Sequence, residues 1–500
     1  MIKNIFYSII WVFVICFQLS AQTAVSPEIG DGSEINPFQI KTLENLCWIA
    51  ADTSRWKFNY IQLADINAAS VRNWYNDSGW LPIGSINHAF TGSYNGKNHI
   101  IDSLFINRPD FRGSGFFGRI YSSSCVVESL RVTNCSIVGF SGVGGLVGEV
   151  VSARVAHSFS SGVVKGAFNV GGLIGVGNKS YVECCYSSGM VNGGTVSGGL
   201  VGSNFYSKIS NSYSFCEVSG DQSVGGLVGD NSFASIANSY STGKVTGESD
   251  AGGLSGSGRS DTILRSFWDI DSSYLETSAG GTGKTTVEMR CRSTFTDSGW
   301  DFIGETVNGS VDIWGISPNE NHGYPFLKMQ GYKIHQEITF DSISPVIYGC
   351  GGLELKASAS SGLPVTFTSS DTGIVRISGT QAIICGVGSV VIKAIQIGDN
   401  YYFPNSVSNV LTVNKKRLMI QGLKVENKVY DGTDSAVFSR GVLDSVVQGD
   451  TVTLIGGTCT FSDKNTGEKK VVTIKGLTLG GVDSNKYYLE QPEDLTADIS

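Results

Sequence analysis

A five-residue signature returns at a fixed interval of 27 residues, and this regularity restricts the fold more than any other feature of the chain. Gly144-Gly145-Leu146-Val147-Gly148 comes back as Gly171-Gly172-Leu173-Ile174-Gly175 and Gly198-Gly199-Leu200-Val201-Gly202. Two further copies follow, Gly225-Gly226-Leu227-Val228-Gly229 and Gly252-Gly253-Leu254-Ser255-Gly256. Other columns keep the same register: Val155, Val182, Ile209, Ile236, Ile263; then Phe159, Tyr186, Tyr213, Tyr240, Phe267; then Val164, Val191, Val218, Val245. Four intervals pass without an insertion or deletion. Such strictness has a physical cause in a parallel β-solenoid, where each coil stacks on the last and every column becomes a ladder of like residues. One inserted residue inside a strand would send the following side chains to the wrong face.

Within a copy, Ile236, Asn238 and Tyr240 share one parity, and Ser239 and Ser241 the other. That period of two predicts strand, with aliphatic and aromatic groups inward and serines on a polar outer surface. Helical repeats would show a period of 3.6 and far less Gly. Gly is 64 of 500 residues, and 27 of these fall in residues 139–258, which carry only 12 charges. The Gly-Gly pairs are expected at corners, where Gly accepts a positive φ and lets neighbouring coils approach. Pro is absent between Pro109 and Pro318, as a ladder that needs every N–H requires. A coil cannot bury its own apolar face, so the array needs a cap at each end. Candidate caps are Thr42 to Ala51, with Leu43, Leu46, Cys47 and Ala50 at helical spacing, and the capping box Thr285-Thr286-Val287-Glu288.

The first 21 residues have the layout of a secretory signal: Lys3, an apolar core from Ile5 to Phe17, and a small residue at Ala21. The chain is therefore expected to be secreted or held at the cell surface, with no membrane span of its own. Ten cysteines lie beyond it, with no C-x-x-C pair, so zinc ribbons and thioredoxin chemistry are disfavoured. Cys350 with Cys385 is the one candidate disulfide. Lys+Arg 36 against Asp+Glu 44, a net charge of −8, gives no basic excess for nucleic acid.

These repeats resemble the GLUG-motif family of bacterial exported proteins. The likeness extends upstream through Leu81-Pro82-Ile83-Gly84 and Phe90 to Gly96, and downstream through Ser266-Phe267-Trp268-Asp269 to Tyr324-Pro325-Phe326-Leu327. The resemblance implies a β-helix on a surface or secreted protein, often adhesin-like, without catalytic residues. Residues 337–413, where Pro returns and alternating runs are separated by turns, resemble a bacterial immunoglobulin-like module. Residues 414–500 resemble a YDG domain, with Lys428-Val429-Tyr430-Asp431-Gly432-Thr433 as signature. The expected architecture is all-β: signal 1–21, N-terminal cap region 22–85, GLUG-repeat parallel β-helix 86–270, C-terminal cap 271–336, and two β-sandwich immunoglobulin-like modules.

Sites for chemistry are sparse. Gly280 to Thr286 tempts a P-loop reading, but Ser278 stands where its first Gly is needed. The five histidines form no H-E-x-x-H. Asp269 and Asp271 could share a strand face and attract Ca²⁺, yet two carboxylates fall short of the six to eight ligands that ion takes. The Tyr186, Tyr213, Tyr240 column is expected inside. No catalytic residue, cofactor or metal is assigned. The expected role is a monomeric, non-enzymatic, adhesin-like rod that binds an extracellular protein or glycan. The competing classes are a carbohydrate-active β-helix enzyme, such as a polysaccharide lyase, and a passive spacer.

Overall fold

The computed structural model describes residues 23–500, so the predicted signal lies outside the described residues. The chain divides into two compact units, Met1–Gln330 and Gly331–Ser500. The first is a parallel β-solenoid whose coil has three faces. In one representative coil, face one is Ile174–Asn178, face two Tyr181–Glu183, and face three the long strand Tyr186–Gly198. Face one stacks six strands, face two nine, and face three belongs to a 13-stranded sheet. Pairing is parallel and holds the sequence register: Val147 lies beside Ile174, Ile174 beside Val201, Val201 beside Val228.

Leu146, Leu173, Leu200, Leu227 and Leu254 are all fully buried, as are or nearly are Val155, Val182, Ile209 and Ile236. Each such side chain contributes about 1.5–3 kcal/mol of burial. The Gly-Gly pairs stand where the chain bends from face three to face one, as expected, but not for the sake of backbone freedom. None of them has a positive φ. They are small because backbones meet there: a Cβ on Gly199 would lie 2.1 Å from the Gly226 carbonyl oxygen and 2.2 Å from Ser214 Oγ, and one on Gly198 1.9 Å from the Val201 oxygen.

The other two corners are made by left-handed residues of other types. Ser152, Lys179, Tyr206, Phe233 and Ser260 turn the chain from face one to face two. His157, Cys184, Asn211, Asn238 and Arg265 turn it from face two to face three. A third left-handed column, Gly142, Asn169, Val196, Ser223 and Asp250, lies within the strands of face three, two residues before each Gly-Gly pair. The β-branched Val196, at φ 64°, is the most strained of these by residue type.

The corner at Asn238 breaks the parity inferred from the sequence. Ile236 points into the coil, but Tyr240 stands on the outside of face three. The serines, expected outside, are buried: Ser158, Ser212, Ser239 and Ser266, and likewise Ser160, Ser187, Ser214 and Ser241. They satisfy backbone groups that the corners leave unpaired. Ser212 Oγ accepts from Cys185 N at 3.1 Å and donates to Ser210 O at 2.7 Å. Ser239 repeats this with Ser212 N and Ala237 O. Ser160, Ser187 and Ser241 donate across the coil to the carbonyls of Gly172, Gly199 and Gly253 at 2.6–2.7 Å.

The N-terminal segment is more than a cap. Phe38–Ile40, Tyr60–Gln62 and Tyr94–Asn95 are strands of face two, and Ile66–Asn67 joins the sheet of face three. The helix Leu43–Ala50 has the expected place; Thr42 caps it with Asn45, and Leu46 and Ile49 are buried. At the other end Thr282–Lys284 adds a last parallel strand beside Phe267–Asp269. The capping box at Thr285 and Glu288 starts the helix Thr286–Met289, and a second short helix, Arg292–Thr296, follows.

The second unit is antiparallel in the main. Gly388–Gln396 pairs with Thr366–Ser369 and Asn405–Asn414 in a four-stranded sheet, with Gly352–Glu354, Gln381–Ile384 and Val375–Ser378 in a three-stranded one. Thr453–Phe461, Gly467–Gly480 and Leu495–Ile499 form the main sheet of the C-terminal part. The two parts share a core: Leu418 and Tyr487 join Val390, Ile392 and Leu411. Asp450 accepts from Tyr487 Oη at 2.5 Å and lies 3.3 Å from Tyr348 Oη.

The expected Cys350–Cys385 bridge is absent; both thiols are free. The ladder ends at Gly352 opposite Ile383. Cys350 leaves it between Gly349 and Gly351, both at positive φ. Cys385 Sγ turns instead to the Ile383 carbonyl at 3.6 Å.

If close backbone approach explains the Gly column, Gly199→Ala should lower unfolding free energy by about 3 kcal/mol in urea denaturation. An unchanged midpoint would contradict the packing described here.

Candidate binding face

The residues singled out for chemistry are absorbed by structure. Asp269 is fully buried, and its carboxylate accepts from Asp271 N, Ser272 N, Thr286 Oγ1 and, at 2.6 Å, Tyr324 Oη. Burial, with Asp269 beside it, pushes the Tyr324 hydroxyl up to about 12. Asp271 accepts from Thr286 N. The two carboxylates therefore lock the C-terminal segment onto the last coil. Lys284, the lysine of the P-loop-like stretch, pairs with Glu288 at 3.1 Å. Among the described residues, no group of three or more His, Cys, Asp and Glu comes together as a metal site.

The aromatic column stacks as its spacing implies. Ring centroids are 4.1 Å apart for Phe159–Tyr186, 4.9 Å for Tyr186–Tyr213 and 5.0 Å for Tyr213–Tyr240. Tyr213 and Tyr240 are buried because the C-terminal cap covers them from outside with Phe295, Trp300, Trp314 and Tyr324. Tyr240 Oη donates to Pro325 O, and Tyr213 Oη to Gln330 Oε1. These rings are not open to a ligand.

Face two is open. Its outward column runs Val126, Arg154, Tyr181, Lys208, Ser235, one residue per coil. A shallow groove of about 660 Å³ follows it, lined by Ser152, Arg154, Lys179, Tyr181, Glu183 and Lys208 among others. A second hollow of about 630 Å³ shares Val126 and Arg154 with it and continues toward Tyr94, Asn95 and Lys57. Arg154 pairs with Glu183 at 2.8 Å, and Lys208 Nζ lies 5.8 Å from the Tyr181 ring centroid. Tyr181 is 54% exposed. At the neighbouring corner Tyr206 and Phe233 are exposed and stacked, centroids 5.2 Å apart. The 27-residue register of positions 154, 181 and 208 could have revealed this column, but its residues differ from coil to coil and so carry no motif.

The cysteines divide by location. Burial pushes the Cys125, Cys135, Cys184 and Cys185 thiols up to about 12. Cys291 is exposed, and its thiol is lowered by hydrogen bonds at Ser293. Iodoacetamide on the native, unreduced protein should label Cys291 and the exposed Cys350 and spare the four buried thiols, read by peptide mass spectrometry. Labelling of Cys185 at the rate of Cys291 would contradict the stacking.

Among the described residues, no helix is long and apolar enough to cross a membrane. Comparison with known proteins gives matches of unequal reach. A 144-residue stretch, 27% of this chain, is 32% identical to Halomucin of Haloquadratum walsbyi (strain DSM 16790 / HBSQ001). The chain covers 2% of that protein's length. A crystal structure from Bacteroides ovatus, provisionally described as an immunoglobulin A1 protease, aligns with 60% of this chain and 94% of its own, at 17% identity and a TM-score of 0.40. Residues 220–246 match the GLUG motif and residues 414–495 the YDG domain. One coil thus matches the GLUG motif, its copies stack in the same register on both sides, and the C-terminal part matches the YDG domain.

Proposed function

We propose that this is an exported, non-enzymatic, adhesin-like protein of the cell surface, whose solenoid presents a binding face to an extracellular protein or glycan. The unit from Gly331 onward then serves as spacer. The observation that carries this reading is the open outward column of face two. In the inward columns of the stack, like residues repeat for packing. Here successive coils present Arg154, Tyr181 and Lys208 over a continuous hollow, an arrangement that coil stacking does not require.

The groove's chemistry favours binding over hydrolysis. Glycoside hydrolysis uses two carboxylates flanking the scissile bond. The carboxylate lining this groove, Glu183, is engaged with Arg154. Asp269 is buried under the cap and spent on hydrogen bonds.

The test is to probe glycan and extracellular-protein arrays with the full chain, while assaying the same polysaccharides for chain cleavage. Saturable binding with no fragments released is the expected result. Turnover would replace this reading with the carbohydrate-active enzyme, and no saturable binding to any ligand would leave a passive spacer.

A further inference from the structure

The groove on face two has a charge opposite to that of the chain. Three cations, Arg154, Lys179 and Lys208, line it against one anion, Glu183, in a protein of net charge −8. Arg154 already neutralises Glu183, so Lys179 and Lys208 set the sign of the groove. A concave surface with low-dielectric walls concentrates such a field and draws in anions.

The second element is aromatic. Tyr181 is flanked on its own column by Arg154 one coil before and Lys208 one coil after. Strand spacing puts these positions about 4.8 Å apart. The corner column beside it carries Lys179, then Tyr206, then Phe233, again one per coil. Aromatic rings at left-handed φ are uncommon and cost energy. Tyr206 and Phe233 sit there at 52% and 40% exposure, packed on each other and on the half-buried Phe205, with much of each ring left open. Tyr181 and the stacked Tyr206–Phe233 pair thus expose aromatic rings on neighbouring columns, with Lys179 and Lys208 on the same two columns.

From this geometry we infer that face two binds an acidic polysaccharide, one whose sugar rings carry carboxylates. The apolar C–H face of a pyranose ring lies against the π face of Tyr181, while its carboxylate meets Lys179 or Lys208. Both elements repeat along the solenoid axis, which suits a polymer with a repeating unit. An acidic peptide would satisfy the cations but has no repeated flat apolar face for the exposed rings. This inference rests on the binding role proposed above and assigns that role its site and ligand class.

The experiment measures binding of polygalacturonate to the full chain by calorimetry, against the same polymer with its carboxyls reduced and against polyglutamate. Polygalacturonate is expected to bind and the reduced polymer not to. Affinity should fall about tenfold or more between low and high salt, as exposed charges are screened. Tyr181→Ala should weaken binding at least about tenfold, and Lys208→Gln and Lys179→Gln together about as much, the loss of roughly one ring contact or one charge pair. All three positions are exposed, so melting should not change; Tyr488→Ala, an exposed tyrosine of the other unit, should leave binding intact. Wild-type affinity in Tyr181→Ala, or equal competition by polyglutamate, would overturn the inference. So would no binding of polygalacturonate, an outcome that leaves the array result for other ligands standing. Cleavage of polygalacturonate with the expected variant effects would instead overturn the non-enzymatic reading and keep the site.

Discussion

The solenoid depends on the contact between glycine pairs of successive coils. At Gly172, Gly199 and Gly226 the backbone of one coil lies so near the carbonyl of the next that a Cβ would stand about 2.1 Å from it. Everything else takes its position from that contact. The adjacent leucines stack into one continuous apolar column, and the buried serines reach carbonyl groups across the coil. Because coils approach this closely, the spacing cannot drift, and the 27-residue interval is its record in the sequence. Stacking energy in such an array is close to a sum over neighbours, so regularity is rewarded at every step.

The repeat, the parallel solenoid and the inward columns were legible because stacking imposes identity from coil to coil. Two readings failed for a common reason. The Gly pairs take one corner but without the positive φ expected there, and at the other two the chain places residues such as Asn, Ser, Cys and aromatics in the left-handed conformation. The corner at Asn211 or Asn238 adds a turn between two strands, so the alternation read across it inverted the serine and tyrosine faces. Period-two reasoning holds within a strand and not through a left-handed residue. The upstream coils were hidden for another reason. Phe38, Tyr60 and Tyr94 lie in one sheet but at unequal spacings, so no fixed register marks them. The YDG signature was legible, but the core that Leu418 and Tyr487 share with Val390 and Ile392 joins segments too far apart in sequence to leave a pattern.

The proposed binding role falls where the stack allows variety. Inward columns hold Leu, Val, Ile and Ser in every coil, and the tyrosines of face three are taken by the cap. The outward column of face two is free to change, and there the chain sets Arg154, Tyr181 and Lys208 in succession. The low overall charge, which marks the rod as a whole, makes this local cluster of cations more effective, because few neighbouring charges oppose it.

Deleting one whole coil tests the stacking account most directly. Removing residues 190–216 joins Gly189 to Glu217, which occupies the same column as Met190 in the next coil. Removing residues 190–215 takes one residue fewer and shifts every later strand out of register. The account predicts that the first deletion keeps a strand-type circular dichroism spectrum and a cooperative thermal transition near that of the full chain. The second should lose that transition or lower it sharply. Equal behaviour of the two deletions would contradict the claim that fixed coil register holds this protein together.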